Sequence, residues 1–273
     1  MPMSDVQNLQ WSPLSGPLAT QQLGDPRSPK VVFLHGFTQT GNSWKPIAER
    51  ISAVGYHAVV IDLPGHGDSG GVRADLRRTA DMVAAIGGIA TYVGYSLGGR
   101  AALHLALMYP HLTKSTVLIG AHAGIADDDE RARRREADDA VEARLNEIGV
   151  EAFVREWVKQ PLFGDLVTTD ADLADRFRNT APGLASSLRL AGTGAQTSLW
   201  PRLREVTAPV LAIAGERDEK FAALAEQIAA AVGQGRALLV PNAAHAAHLQ
   251  QPEVVVQAIL NVLPRLRTSP TVA

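Results

Sequence analysis

The amino-acid sequence predicts an α/β fold, in which helices flank a mostly parallel sheet and a helical lid is inserted into the chain. Short apolar runs rich in β-branched residues alternate with helical patterns in both halves of the chain, as in consecutive right-handed βαβ units. Between about 127 and 201 this alternation gives way to helical segments without a strand pattern. We therefore predict one sheet domain in two pieces, 1–120 and 206–273, with the lid at 121–205.

Each element is predicted from its local pattern. The first 29 residues hold many turn formers around short apolar pieces, and they indicate a tail with weak edge strands. The strands are predicted from continuous apolar runs, at 31–34, 57–62, 90–93, 115–119, 210–214 and 237–240. The helices of the sheet domain are predicted at 44–54, 75–86, 100–108, 221–231 and 252–263.

Composition excludes several classes of function. The chain has 273 residues, and its 26 Lys and Arg against 28 Asp and Glu provide no basic surface for nucleic acid. It has no cysteine, and its eight histidines show no metal-ligand spacing, so we expect neither a metal nor another cofactor. The first ten residues lack the pattern of a signal peptide, and no apolar run could span a bilayer. We therefore expect a cytoplasmic protein without membrane or nucleic-acid partners. The sequence does not predict its oligomeric state.

A serine flanked by glycines stands where an apolar strand pattern changes to a helical pattern. It belongs to the Gly-Tyr-Ser-Leu-Gly run at 94–98. Because Gly94 and Gly98 lack a Cβ, they permit a tight turn, and the run is typical of a nucleophile elbow that exposes the Ser96 hydroxyl. The alternative is a glycine-rich turn whose serine only caps the helix.

A serine hydroxyl becomes reactive when a histidine takes its proton and a carboxylate orients that histidine. In the elbow architecture the acid and then the histidine follow the serine along the chain. Asp218 comes directly after a late apolar strand and is the preferred acid, whereas Glu216 and Glu219 fit ordinary solvated charges. Two histidines, His245 and His248, follow the last strand and are both candidates for the base. The alternative for each is a surface or helix-capping histidine. Chain order barely separates them.

An oxyanion hole requires two backbone amides. The amide of Leu97 lies at a predicted helix N-terminus and supplies one. The loop after the first buried strand supplies the other, and Phe37 is the preferred residue, with a hydrophobic wall as its alternative role. His35 in the same loop precedes the serine, so we predict a structural role for it.

Together these stretches resemble the α/β-hydrolase superfamily. The closer resemblance is to its 2-succinyl-6-hydroxy-2,4-cyclohexadiene-1-carboxylate synthase family, and it covers most of the chain. The elbow occurs throughout the superfamily, but its combination with Arg100 and with the 215–221 run is far more specific. The resemblance is carried by the Phe-Leu-His-Gly-Phe run at 33–37, Gly-Tyr-Ser-Leu-Gly-Gly-Arg at 94–100, Trp-Val-Lys-Gln-Pro-Leu-Phe at 157–163 and Gly-Glu-Arg-Asp-Glu-Lys-Phe at 215–221.

The resemblance implies a complete catalytic set. It makes Ser96, Asp218 and His245 the triad, and it makes the amides of Phe37 and Leu97 the oxyanion hole.

The segment that carries the histidine departs from the family pattern at one position. The resemblance favours His245 over His248, because His245 is the first histidine of an Ala-x-His-x-x-His segment. Ala244 stands where the family usually has glycine. If that glycine adopts a positive φ, alanine strains the loop and shifts the histidine.

The resemblance also implies a small substrate with several carboxylates, contacted by Tyr95, Arg100, Arg134, Trp157 and Arg178. Arginine suits this role because its guanidinium binds carboxylates through two parallel hydrogen bonds and keeps its charge. Arg100 lies one helical turn after Ser96, so it can reach the site, although a surface salt bridge is its alternative role. Arg134 and Arg178 lie in an arginine-rich lid, where ordinary surface pairing is the stronger alternative.

The implied reaction is the loss of pyruvate from 2-succinyl-5-enolpyruvyl-6-hydroxy-3-cyclohexene-1-carboxylate in menaquinone biosynthesis. Two alternatives remain on the same fold. The triad equally suits a hydrolase of esters or carbon–carbon bonds. The second alternative is a non-catalytic, ligand-binding member of the fold. The presence of Ser, Asp and His in the expected chain order argues against it, since a receptor does not need these three residues.

Overall fold

Eight strands form one sheet in the computed structural model, which describes residues 10–264. The strands are β1 (Ser12–Pro13), β2 (Thr20–Leu23), β3 (Lys30–Leu34), β4 (His57–Ile61), β5 (Ala90–Tyr95), β6 (Thr113–Ile119), β7 (Val210–Gly215) and β8 (Gly235–Val240). Their order is β1-β2-β4-β3-β5-β6-β7-β8, with antiparallel pairing only at β1–β2 and β2–β4. The mostly parallel sheet predicted from the sequence is therefore confirmed.

Helices cover both faces of the sheet. They are α1 (Lys45–Ala53), α2 (Leu76–Gly87), α3 (Leu97–Met108), α4 (Asp128–Trp157), α5 (Asp170–Phe177), α6 (Ala181–Ala191), α7 (Glu219–Ala231), α8 (Ala247–Gln250) and α9 (Pro252–Val262). Alternate strand residues serve the two faces: Val31 and Phe33 pack against α1 and α9, whereas Val32 and Leu34 pack with α2, α3 and α7. Because the central strands are buried on both faces of the sheet, β3 to β7 are mostly continuous apolar runs in the sequence.

The helical insertion runs between β6 and β7. Helices α4 and α6 form a separate small core, in which Leu145, Phe153 and Leu184 are buried. Within α4 the helix is interrupted at Gly149, where φ is 76°. Phe37, from the sheet domain, packs against this small core. The insertion therefore lies over the loop that follows β3.

Two helices of the sheet domain start earlier than the sequence predicts. Helix α3 begins at Leu97 rather than Arg100, directly after the serine. Helix α7 begins at Glu219 rather than Phe221, because the Asp218 side chain accepts a hydrogen bond from the Phe221 amide (3.4 Å). Of the predicted N-terminal tail, residues 1–9 lie outside the described part of the chain. No helix within residues 10–264 has the length and hydropathy needed to cross a bilayer.

Candidate active site

The predicted elbow joins β5 to α3. Ser96 has φ 49° and ψ −106°, so the positive φ falls on the serine itself. The flanking glycines are needed for close approach: a Cβ on Gly94 would lie 2.3 Å from the Gly98 carbonyl oxygen, and one on Gly98 would lie 2.1 Å from the Leu34 oxygen. The serine side chain makes no capping bond to the helix. The capping alternative is therefore wrong, and the hydroxyl is available for chemistry.

The acid and the histidine meet the serine at the carboxyl ends of their strands. His245 Nδ1 lies 2.7 Å from Asp218 Oδ2, and His245 Nε2 lies 3.3 Å from Ser96 Oγ. Both Asp218 and His245 are buried, and the Phe221 ring packs 4.4 Å from the imidazole. An Asp carboxylate that accepts from Nδ1–H leaves Nε2 free to accept the serine proton. The geometry thus has the connectivity of a serine–histidine–aspartate relay.

The second histidine lies in the core. His248 is fully buried between the rings of Trp44 (4.6 Å) and Tyr95 (4.3 Å), and neither ring nitrogen has a hydrogen-bond partner within residues 10–264. Burial lowers its pKa to about 3, so the ring is neutral. Ala244 has a φ outside the left-handed region, so the strain considered for this position does not arise.

The two residues predicted to supply the oxyanion hole lie at one cavity. Phe37 and Leu97 line it together with Ser96 and His245. Neither amide donates a hydrogen bond to another group in the described chain. Leu97 is the first residue of α3, where an amide has no partner inside the helix. His35 is structural, as predicted: the Leu63 amide donates to its Nε2 and its Nδ1 donates to the Gly36 oxygen.

The cavity has a volume of about 240 Å³, and residues of the helical insertion form part of its lining. Of the five predicted substrate residues, four line it: Tyr95, Arg100, Arg134 and Trp157. Trp157 forms an aromatic wall, with ring centroids 5.1 Å from Phe37 and 5.7 Å from Phe153. The lining of the cavity therefore combines aromatic rings with positively charged side chains.

Arg100 is the buried cation of the cavity. Its side chain is 7% exposed, and it forms no ion pair within residues 10–264; its Nη1 donates to Gln196 Oε1 at 3.3 Å. Burial, with a smaller contribution from the charge of Arg134, lowers its pKa to about 10. The surface-salt-bridge alternative is wrong. A buried guanidinium without an acidic partner is costly unless an anion binds to it.

The other two predicted arginines differ from Arg100. Arg134 Nε donates to Asp138 Oδ1 at 2.8 Å, so its charge is already matched at the cavity wall. Arg178 does not reach the cavity, and the prediction that it does is contradicted by the geometry. Its guanidinium lies 2.7 Å from Asp68 and 3.1 Å from Asp175, at the outer surface. Of the three predicted arginines, Arg100 is therefore the one that lines the cavity without an acidic partner within residues 10–264.

Sequence reasoning missed several residues of the site. His122, Asp138 and Lys220 also line the cavity. His122 follows the carboxyl end of β6, and that position was the one available signal, because ligands of parallel sheets bind at the carboxyl ends of strands. Arg176, two residues before Arg178, is the buried arginine of α5; it lies outside the lining of this cavity and donates to Thr38 Oγ1 at 2.6 Å.

Comparison with known proteins agrees with this geometry. A model of the alpha/beta hydrolase family matches residues 31–258. The chain belongs to that family. Within the family, the 2-succinyl-6-hydroxy-2,4-cyclohexadiene-1-carboxylate synthase of Salmonella paratyphi C (strain RKS4594) is 33% identical over 250 residues, which cover 88% of this chain and 96% of the relative. The chain therefore also belongs to the family of these synthases, and the resemblance seen in the sequence is confirmed.

Solved structures of α/β-hydrolases extend the comparison. The structure of MenH from S. aureus has a TM-score of 0.83 at 29% identity, covering 92% of this chain and 98% of that one. E-2-(Acetamidomethylene)succinate hydrolase has a TM-score of 0.69 at 25% identity, covering 93% of this chain and 98% of that one. The α/β-hydrolase fold thus accommodates different reactions, and the residues of the cavity must decide among them.

Proposed function

We propose that this protein removes pyruvate from 2-succinyl-5-enolpyruvyl-6-hydroxy-3-cyclohexene-1-carboxylate and releases 2-succinyl-6-hydroxy-2,4-cyclohexadiene-1-carboxylate. One observation carries the proposal. Arg100 is buried without an acidic partner in the described chain, and it lines the same cavity as Ser96 and His245. The proposed substrate carries three carboxylates, so it supplies the missing negative charge. The name of the Salmonella relative supports the same reaction.

The reaction needs a base for one carbon-bound proton. Substrate and product differ by loss of the C2 proton and the C5 enolpyruvyl group, with the ring double bonds rearranged. The C2 proton is acidic because it lies next to the succinyl carbonyl. Ser96 Oγ removes it while the serine proton passes to His245 Nε2, and Asp218 stabilises the imidazolium that forms.

The negative charge that develops needs stabilisation on the carbonyl oxygen. The amides of Phe37 and Leu97 donate to this oxygen as the enolate forms, and they are worth most in a cavity that excludes water. The electrons then move through the ring and break the bond to the enolpyruvyl oxygen. His245 returns its proton to that oxygen, and the released enol tautomerises to pyruvate. We propose that residues 121–205 act as the lid that excludes water during these steps.

The proposal is tested by comparing two reactions on the same purified protein. Pyruvate release is followed with a lactate dehydrogenase couple, and ester cleavage is followed with a panel of p-nitrophenyl esters. We expect kcat/KM for pyruvate release to exceed that for every ester, because a neutral ester leaves the Arg100 charge unmatched. Rapid ester cleavage without pyruvate release would reject the synthase function in favour of a hydrolase.

Replacement of Arg100 by methionine should change activity and stability in opposite directions. Methionine fills a similar volume without a charge, so the free energy of unfolding is expected to rise by roughly 1–3 kcal/mol. The substrate carboxylate then loses its partner, and kcat/KM should fall by about 10²–10³-fold.

Arg178→Met is the matched control, because its guanidinium pairs with Asp68 and Asp175 outside the cavity. We expect kcat/KM of this control within about threefold of the parent. Denaturant unfolding and pyruvate release measure both quantities. If Arg100→Met is less stable and equally active, Arg100 is a structural residue held by Gln196.

A further inference from the structure

His122 is a buried cavity residue that the proposed reaction leaves unused. It lies three residues after the end of β6, and its side chain is 7% exposed. It lines the same cavity as Ser96, Arg100 and His245. A buried imidazole at the carboxyl end of a central strand is in a position to contact a ligand.

One hydrogen bond fixes the tautomer of this ring. The backbone amide of Gly124 donates to His122 Nδ1 at 2.8 Å. A backbone N–H can only donate, so Nδ1 carries no proton. The neutral ring must then carry its proton on Nε2.

The ring remains neutral at physiological pH. Burial, together with the charges of Arg100, Arg134, Lys220 and His245, lowers the His122 pKa to about 3. Of these neighbours, Arg100 has the largest effect on the pKa. A second positive charge beside Arg100 is thus avoided, and a donor of fixed position remains.

The Nε2–H group of His122 is unpaired among the described residues. It makes no hydrogen bond within residues 10–264, and Nε2 is not fully enclosed by protein atoms. The ring borders the cavity, so Nε2–H is open to a ligand there. A buried donor is otherwise left without a partner, which is unfavourable.

We propose that His122 is a substrate-binding residue that donates a hydrogen bond from Nε2–H to the carboxylate bound by Arg100. This inference rests on the proposed function and adds a second, uncharged donor to the carboxylate site. A neutral donor orients the carboxylate without increasing the repulsion among the cations of the cavity. It therefore contributes to the choice of an anionic substrate.

Two substitutions separate the two ring nitrogens. His122→Asn places an amide oxygen near Nδ1 and preserves the bond from Gly124, but it removes the donor at the Nε2 position. His122→Gln reaches the Nε2 position with its amide nitrogen. His111→Asn is the matched control, because His111 is exposed.

The substrate is titrated by calorimetry into Ser96→Ala protein that carries each of these changes, so that binding is measured without turnover. We expect His122→Asn to bind about 10- to 100-fold more weakly with an unchanged unfolding midpoint. His122→Gln should recover part of the loss, and His111→Asn should bind like the Ser96→Ala parent. Equal binding by His122→Asn and the parent, or no recovery by His122→Gln, would overturn the inference.

A spectroscopic measurement needs no substitution at His122. In Ser96→Ala protein with ¹⁵N-labelled histidine, long-range ¹H–¹⁵N correlations should show His122 protonated on Nε2, with a shift of that N–H when substrate is added. Protonation on Nδ1, or no shift, also overturns the inference. If the Ser96→Ala parent binds no substrate and the wild-type protein releases no pyruvate, the proposed function fails first, and the two failures are thereby distinguished.

Discussion

Ser96→Ala is expected to lower kcat for pyruvate release by at least about 10³-fold, because the group that we propose removes the C2 proton is lost. The fold should be retained. The Ser96 side chain does not cap α3, and within residues 10–264 its one hydrogen bond is the 3.3 Å contact with His245. The free energy of unfolding should therefore change by no more than about 0.5 kcal/mol.

Pyruvate release and denaturant unfolding of the purified variant measure these two effects. Ser15→Ala is the matched control, since Ser15 is exposed in the loop between β1 and β2 and is remote from the cavity. Near-normal turnover by Ser96→Ala would show that the reaction does not depend on this serine, and it would contradict the roles proposed for Ser96 and His245.

His245→Ala should be as damaging to turnover as Ser96→Ala, whereas His248→Ala should mainly affect stability. His245 connects Asp218 to the serine hydroxyl, so its loss removes the proton relay. His248 fills a fully buried position between Trp44 and Tyr95. Truncation of its ring leaves a cavity that costs roughly 2–4 kcal/mol.

The two variants are compared below the unfolding transition of the weaker one, so that both are folded during the assay. We expect His248→Ala to retain kcat within about tenfold of the parent, with some loss because Tyr95 packs against both rings and lines the cavity at Ser96. The reverse order of activities would make His248 the base.

The sequence by itself determined the sheet, the elbow and the order of the triad candidates. Runs such as 31–34 and 210–214 are apolar on both faces, and burial on both faces of a parallel sheet requires that pattern. The elbow follows from Ser96 and its flanking glycines, because a Cβ on Gly94 would collide with the carbonyl group of Gly98, four residues further along the chain. These features depend on neighbours in the chain, so local patterns predict them.

The tertiary structure decided which of two similar residues lies at the cavity beside Ser96. His245 and His248 both follow β8, yet one ring meets Asp218 and the other enters the core. Arg178 pairs with Asp68, which lies on a distant loop, while Arg100 has no acidic partner in residues 10–264. Side-chain direction and ion pairing depend on groups far away in the chain. They are fixed when the elements pack, and for that reason local sequence patterns did not predict them.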